Sequence, residues 1–264
     1  MTTLHTLTLQ REGARGELAR LTLNRPEVRN AFNEQLIAEL TDSFKTLGQD
    51  PTLRAIVLQA EGKAFCAGAD LNWMKAMAGY SWEENHADAG RLAEMLWTLY
   101  SCPVPVIARV QGDVYAGGVG LVSVCDMVVA VEGAGFCLSE AKLGLLPATI
   151  GPYVVRALGE QASRRYFVTA ERFSAVEAHR LGLVHELATP ETLDEKVDAL
   201  VAALSANSPA AVRACKRLVQ DVAHAPITAQ LRDDTARRIA DIRASAEGRE
   251  GVQSFLNKSK PSWI

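Results

Sequence analysis

Phe65-Cys-Ala-Gly-Ala-Asp-Leu71 follows an apolar run and opens a helical pattern, and Gln111-Gly-Asp-Val-Tyr-Ala-Gly-Gly-Val-Gly-Leu121 does the same further along. A strand that hands over to a helix through glycine leaves unpaired backbone N–H groups where the main chain can approach a ligand closely. Both segments also admit a purely architectural reading. Asp70 suits the N-cap of the helix that follows it, and Gly117, Gly118 and Gly120 suit a close helix-to-sheet contact. The second segment is not a phosphate loop, because no Gly-Lys-Ser/Thr follows it.

Working outward, the elements on either side alternate between strand and helix. Leu4 to Leu9 and Leu18 to Leu23 have strand alternation with Gly13 and Gly16 between them, which predicts a hairpin. Asn33 precedes Leu36, Ile37, Leu40, Phe44 and Leu47 at helical spacing, and Gly48, Asp50 and Pro51 stop that pattern. Ala55 to Leu58, Val104 to Val110 and Met127 to Val131 read as buried strands. A helical region runs from Gly68 to about Tyr100 with a break near Gly79-Tyr80-Ser81, and Gly117 to Val124 is a short apolar helix. The order strand, glycine loop, helix, strand predicts an α/β core with several parallel strands. Four amphipathic helices are predicted at Thr192 to Ser205, Pro209 to Val222, Thr228 to Arg243 and Glu247 to Asn257. The expected division is a core over residues 1–205 and a helical region over 206–264.

Composition narrows the function classes. A chain of 264 residues with 48% hydrophobic composition can bury a substantial core. The formal charge of −3 gives no general electrostatic reason to bind nucleic acid. Cys66, Cys102, Cys125, Cys137 and Cys215 are odd in number and form no CxxC pair, so neither a disulfide framework nor a metal site is expected, and a cytoplasmic setting fits. MTTLHTLTLQREG lacks the pattern of a signal peptide, and the apolar stretch from Val114 to Val131 is interrupted by Asp126, so no membrane span is expected.

Glu140 lies in the mostly apolar stretch Phe136-Cys-Leu-Ser-Glu-Ala-Lys-Leu-Gly-Leu-Leu-Pro147. An isolated glutamate of this kind is equally a surface or helix-start charge beside Ser139. Its significance comes from the company it keeps. The ordered set Leu23-Asn-Arg-Pro-Glu-Val-Arg-Asn-Ala-Phe32, Phe65 to Leu71, Pro105 to Gly112, Ala116 to Leu121, Cys125-Asp126, Phe136 to Gly144 and Ala178-His-Arg-Leu-Gly-Leu-Val184 resembles the crotonase (enoyl-CoA hydratase/isomerase) superfamily over nearly the whole chain.

That resemblance implies an α/β fold, a crotonase-like spiral of ββα units with a C-terminal helical trimerisation region, assembled as a homotrimer or as a hexamer made of two trimers. It implies an acyl-CoA substrate, with no metal and no separate cofactor, since CoA arrives as part of the substrate. It assigns the N–H groups of Ala69 and Gly117 to an oxyanion hole for the thioester oxygen and Glu140 to proton exchange at the α-carbon. Arg25, Val28, Ala67, Gly68, Asp70, Leu71 and Gly118 fall in the substrate-binding segments. Trp73, Met74 and Met77 on the helix opened by Leu71 either line the acyl tunnel or make ordinary core contacts.

One departure stands out. The family's other glutamate, three residues after Gly117, is Gly120 here. A hydratase has to activate water and protonate carbon, whereas a Δ3,Δ2-enoyl-CoA isomerase needs one base. The wording of Gly68-Ala-Asp-Leu-Asn-Trp-Met74 and Leu138 to Ala148 is nonetheless similar to the bacterial methylglutaconyl-CoA hydratase-like branch of leucine degradation. Three readings follow: a hydratase for a 2-enoyl-CoA whose acyl group is branched or methylglutaconyl-like; a one-glutamate isomerase; and an acyl-CoA-binding subunit without turnover. Lys75, Arg109, Lys142 and Arg156 could meet CoA phosphates or a second substrate carboxylate, but a surface charge is the simpler reading of each.

Overall fold

The computed structural model describes residues 2–264. Strands β1 (Thr2–Thr3), β2 (Leu7–Glu12) and β3 (Leu18–Leu23) form an antiparallel ribbon, and α1 (Glu34–Gln49) returns the chain to β4 (Ala55–Ala60). The expected hairpin is present, but its first long strand starts at Leu7 rather than Leu4. Glu39, buried on α1, accepts hydrogen bonds from the Thr6 N–H at 2.9 Å and the Thr6 hydroxyl at 2.6 Å, which takes those groups out of the ladder. Asn33 caps α1 by accepting from the Leu36 N–H at 2.9 Å.

From β4 the chain repeats one device. β5 (Ala64–Cys66) leads to α2 (Leu71–Met77) and α3 (Trp82–Ser101); β6 (Val106–Val110) and β7 (Asp113–Tyr115) lead to α4 (Gly117–Ser123); β8 (Met127–Val131) and β9 (Gly135–Cys137) lead to a 3-10 turn at Glu140–Leu143. The break between α2 and α3 lies where glycine and serine were expected to place it. Ser81 and Glu84 form a reciprocal capping box at the start of α3. The chain continues through α5 (Gly151–Leu158), α6 (Glu160–Thr169), β10 (Arg172–Ser174), α7 (Ala175–Arg180) and β11 (Glu186–Ala188). It ends in α8 (Leu193–Ser205), α9 (Pro209–Val222), α10 (Ala229–Ala244) and α11 (Ala246–Leu256).

The longer strands make a 7-stranded sheet in the order β1-β2-β3-β4-β6-β8-β11, parallel from β3 onward. The short strands make a second sheet of 4 strands, β5-β7-β9-β10, in which β5, β7 and β9 are parallel neighbours. Burial explains the near-continuous apolar runs of the first sheet: Ile56, Ile107, Val129 and their neighbours lie in one core shared with α1, α3 and α8. Leu193 and Val197 place α8 in that core. By contrast α9 and α10 have no buried residue. α9 holds to the core through polar contacts, among them Lys216 to Asp126 at 2.6 Å and Arg213 to the carbonyls of Asp50 at 2.7 Å and Leu53 at 3.0 Å, and α10 is tied to α9 by Arg238 to Asp221 at 2.7 Å. Among the described residues no helix is long and apolar enough to cross a membrane.

Candidate active site

Because β5, β7 and β9 are adjacent and parallel, their C-terminal ends lie side by side. Just beyond those ends come Ala69, Gly117 and Glu140. All three line one cavity of about 300 Å³, together with Phe32, Trp73 and Met77, the α3 residues Asn85, Asp88, Ala89 and Leu92, and the loop from Leu145 to Ile150. Topology therefore converges what the sequence spreads over more than seventy positions.

The two N–H groups are free for a reason that can be traced. The loop carrying Ala69 is stitched to residues 29–32: the Phe32 N–H donates to Gly68 O at 2.7 Å, the Asp70 N–H to Phe32 O at 2.8 Å and the Ala67 N–H to Arg29 O at 3.0 Å. This pairing uses the groups on either side of the Ala69 N–H, which finds no acceptor among the described residues. Gly117 is the first residue of α4, so its N–H has no helical partner, and it too finds none elsewhere among the described residues. Two free donors at one apolar cavity form a hole for an oxygen that gains negative charge.

Glycine lets the two loops approach. A Cβ at Gly118 would lie 2.9 Å from both the Cβ and the carbonyl oxygen of Cys66, and Gly68 has φ +90° with its missing Cβ 3.0 Å from that of Ala116. Cys66 itself is a packing group, since burial pushes its thiol up to about 12.

Ala116, immediately before the Gly117 donor, has φ 47° and ψ −120°, a conformation that an L side chain disfavours. Its N–H donates to Cys137 O at 2.8 Å, which holds it there. Relief of roughly 1–3 kcal/mol of strain, offset by roughly 0.4–1 kcal/mol of unfolded-state entropy, should make Ala116→Gly about 1 kcal/mol more stable. Chemical denaturation of the two proteins checks this, and a less stable variant would show that the residue is unstrained.

Glu140 opens its 3-10 turn with the Oε2 atom sealed from solvent and without a hydrogen-bond partner among the described residues. Desolvation pushes its carboxyl above the usual carboxylate range, with the turn's own backbone pulling the other way. A carboxyl poised in this way can give a proton to carbon or take one from it near neutral pH.

Other expected site residues have different places. Asp70 caps α2 by accepting from the Asn72 N–H at 2.8 Å, so the architectural reading of that residue holds, and it also accepts from Arg25 at 2.8 Å. Arg25 also donates through Nη1 to Ala31 O at 2.6 Å, which braces the loop of Ala69. Val28 and Leu71 are surface residues, and Arg25, Val28, Ala67, Gly68, Asp70, Leu71 and Gly118 lie outside the cavity lining, as does Met74. Arg109 is held by Asp194 of α8.

Several residues of the cavity were missed from sequence, and two of them matter most for its chemistry. Ile150, 2% exposed, fills the space beside Gly120: a Cβ there would lie 2.2 Å from its Cγ2 and 2.6 Å from its Cβ. The position that carries the family's other carboxylate is thus walled by an aliphatic side chain. Asp88 is the second. It falls in phase with Leu92, Met95, Leu96 and Leu99 on the buried stripe of α3, and a charge on that stripe was the available signal.

Two free main-chain donors and one desolvated carboxyl at a single cavity are what a class of enzyme that stabilises enolates of thioesters requires. The comparisons with known proteins fall in the same class. Residues 13–264 match the family model of enoyl-CoA hydratase/isomerase. The chain is 40% identical to an enoyl-CoA hydratase from Shewanella pealeana, with a TM-score of 0.94 over 98% of this chain and 96% of that one. It is 35% identical to Pseudomonas aeruginosa AtuE, with a TM-score of 0.93 over 98% and 99% of the two chains. It is also 30% identical to the 2,3-dehydroadipyl-CoA hydratase of Escherichia coli, over 92% of this chain and 93% of that protein. The chain belongs to the enoyl-CoA hydratase/isomerase family and has the crotonase fold.

Proposed function

We propose that the protein adds water across the double bond of a 2-enoyl-CoA. The observation that carries this is the free Ala69 and Gly117 N–H groups at the same cavity as the unpartnered Glu140 oxygen. Attack of water at the β-carbon pushes charge onto the thioester oxygen, where each aligned donor contributes roughly 3 kcal/mol to the barrier. Glu140 then supplies the proton at the α-carbon. CoA comes with the substrate, its nucleotide running past Val28, Ala67 and Leu71 on the surface. Trp73 and Met77, an aromatic and an adaptable thioether, suit a branched acyl group of the methylglutaconyl type met in leucine degradation.

Incubation with crotonyl-CoA and with 3-methylglutaconyl-CoA should bleach the absorbance of the conjugated thioester. No turnover of either substrate would falsify the reading. Gly120 favours a second one, in which Glu140 alone shuttles a proton in a 3-enoyl-CoA. That isomerase would form conjugated product without taking up oxygen from labelled water, and absence of such product removes it. Membership of an enzyme family weighs against the binding-only alternative.

The division at residue 206 and a homotrimer or a hexamer of two trimers belong to the same proposal. Support comes from exposed apolar side chains on and near α9 to α11, namely Val219, Ile227, Ile239, Val252, Phe255 and Leu256. Light scattering that reads a monomer overturns it. Five free cysteines, four of them buried, agree with a reducing cytoplasm.

A further inference from the structure

Hydration needs a group that takes a proton from water, and the usual position for it holds Gly120 with Ile150 packed into the space. Among the described residues that line the cavity, only Glu140 and Asp88 carry a carboxyl group. Asp88 is 3% exposed on α3. Its Oδ1 accepts from Arg91 at 2.6 Å and from the Trp73 indole N–H at 3.2 Å, whereas its Oδ2 accepts nothing among the described residues. A buried carboxylate with one oxygen pinned and the other open calls for a donor from the cavity, either water or a substrate hydroxyl. A volume of about 300 Å³ leaves room for a short enoyl group and a water of ~30 Å³.

We infer that Asp88 is the second carboxylate of this site, the base that holds the attacking water and takes its proton. The inference rests on the hydratase reading. As the O–H bond breaks toward Asp88 Oδ2, the water oxygen bonds to the β-carbon and the double-bond pair moves to give an enolate whose oxygen sits against the Ala69 and Gly117 N–H groups. The enolate collapses by taking the Glu140 proton at the α-carbon. Transfer of the proton from Asp88 back to Glu140 through solvent restores the starting state, so one water has been added and nothing else has changed. The pair thus keeps Glu140 on its 3-10 turn and replaces a carboxylate on α4 with one on α3.

Asp88→Asn is the informative variant, since the amide oxygen still accepts from Trp73. It should slow hydration of crotonyl-CoA by about 100-fold or more. Exchange of the α-protons of butyryl-CoA with deuterium oxide should stay within about threefold of the parent, because that exchange needs only the oxyanion hole and Glu140. Glu140→Gln should abolish both. Hydration that survives in Asp88→Asn overturns the inference, and an equal fall in hydration and exchange overturns it too, since that marks a general disturbance of the pocket. If the unaltered protein exchanges α-protons but hydrates nothing, the hydratase reading itself falls and the role of Asp88 with it.

Discussion

Replacing Glu140 with Gln is expected to lower turnover of an enoyl-CoA by roughly 100- to 10,000-fold while raising the melting temperature at neutral and higher pH. The two effects share one cause. Desolvation raises the Glu140 carboxyl above its ordinary value, and Oε2 has no donor to compensate. A carboxyl whose folded value exceeds its unfolded value binds more protons in the folded state over the interval between them. Its contribution to stability is therefore present below the unfolded value and is lost as pH rises through the folded one. Above that interval the native state carries a poorly solvated charge, and a neutral glutamine does not. Melting curves of both proteins at pH 5 and pH 8 should diverge at the higher pH, with the variant the more stable. Parallel curves, or turnover within tenfold of the parent, would show that Glu140 is an ordinary surface acid. Stability given up for a reactive group is the expected pattern at a catalytic position.

The second large effect concerns Gly120. Restoring a glutamate there by Gly120→Glu should lose about 3 kcal/mol of stability or more, through overpacking and a buried charge without a partner. Hydration should be lost as well, since Ile150 has to move for the new Cβ to fit and Ile150 lines the cavity. Adding Ile150→Gly removes both clashing atoms, Cγ2 and Cβ, and should recover most of the overpacking loss, so the two changes are strongly non-additive. Urea unfolding of the single and double variants measures the coupling. A Gly120→Glu protein as stable as its parent would mean that Ile150 yields freely and that the glycine is not sterically required.

Residues decide how much of this was legible in advance. The spacing Leu36, Ile37, Leu40, Phe44 and Leu47 announces α1, Asn33 its start, and Gly79-Tyr80-Ser81 the break before α3, because caps and periodicity are local signals. Pro209 to Val222 came out with the bounds of α9, and both oxyanion segments with their handover from strand to helix. The second sheet was not legible. Three residues such as Ala64–Cys66 or Gly135–Cys137 cannot display alternation, and their pairing is a fact about distant segments. The stretch from Gly151 to Arg180, with α5, α6, β10 and α7, gave no reading for similar reasons of brevity. Asp88 and Ile150 were missed because their meaning lies in what faces them across the cavity.

The Ala69 and Gly117 donors belong to the main chain, and that affects how the protein can diversify. A side chain that donates a hydrogen bond is erased by one substitution. An amide N–H persists through every replacement except proline, provided the loop keeps its path. The path of β5, β7 and β9 therefore keeps these two donors in place whatever side chains surround them, so residues at position 120, at position 140 and on α3 can change without removing them.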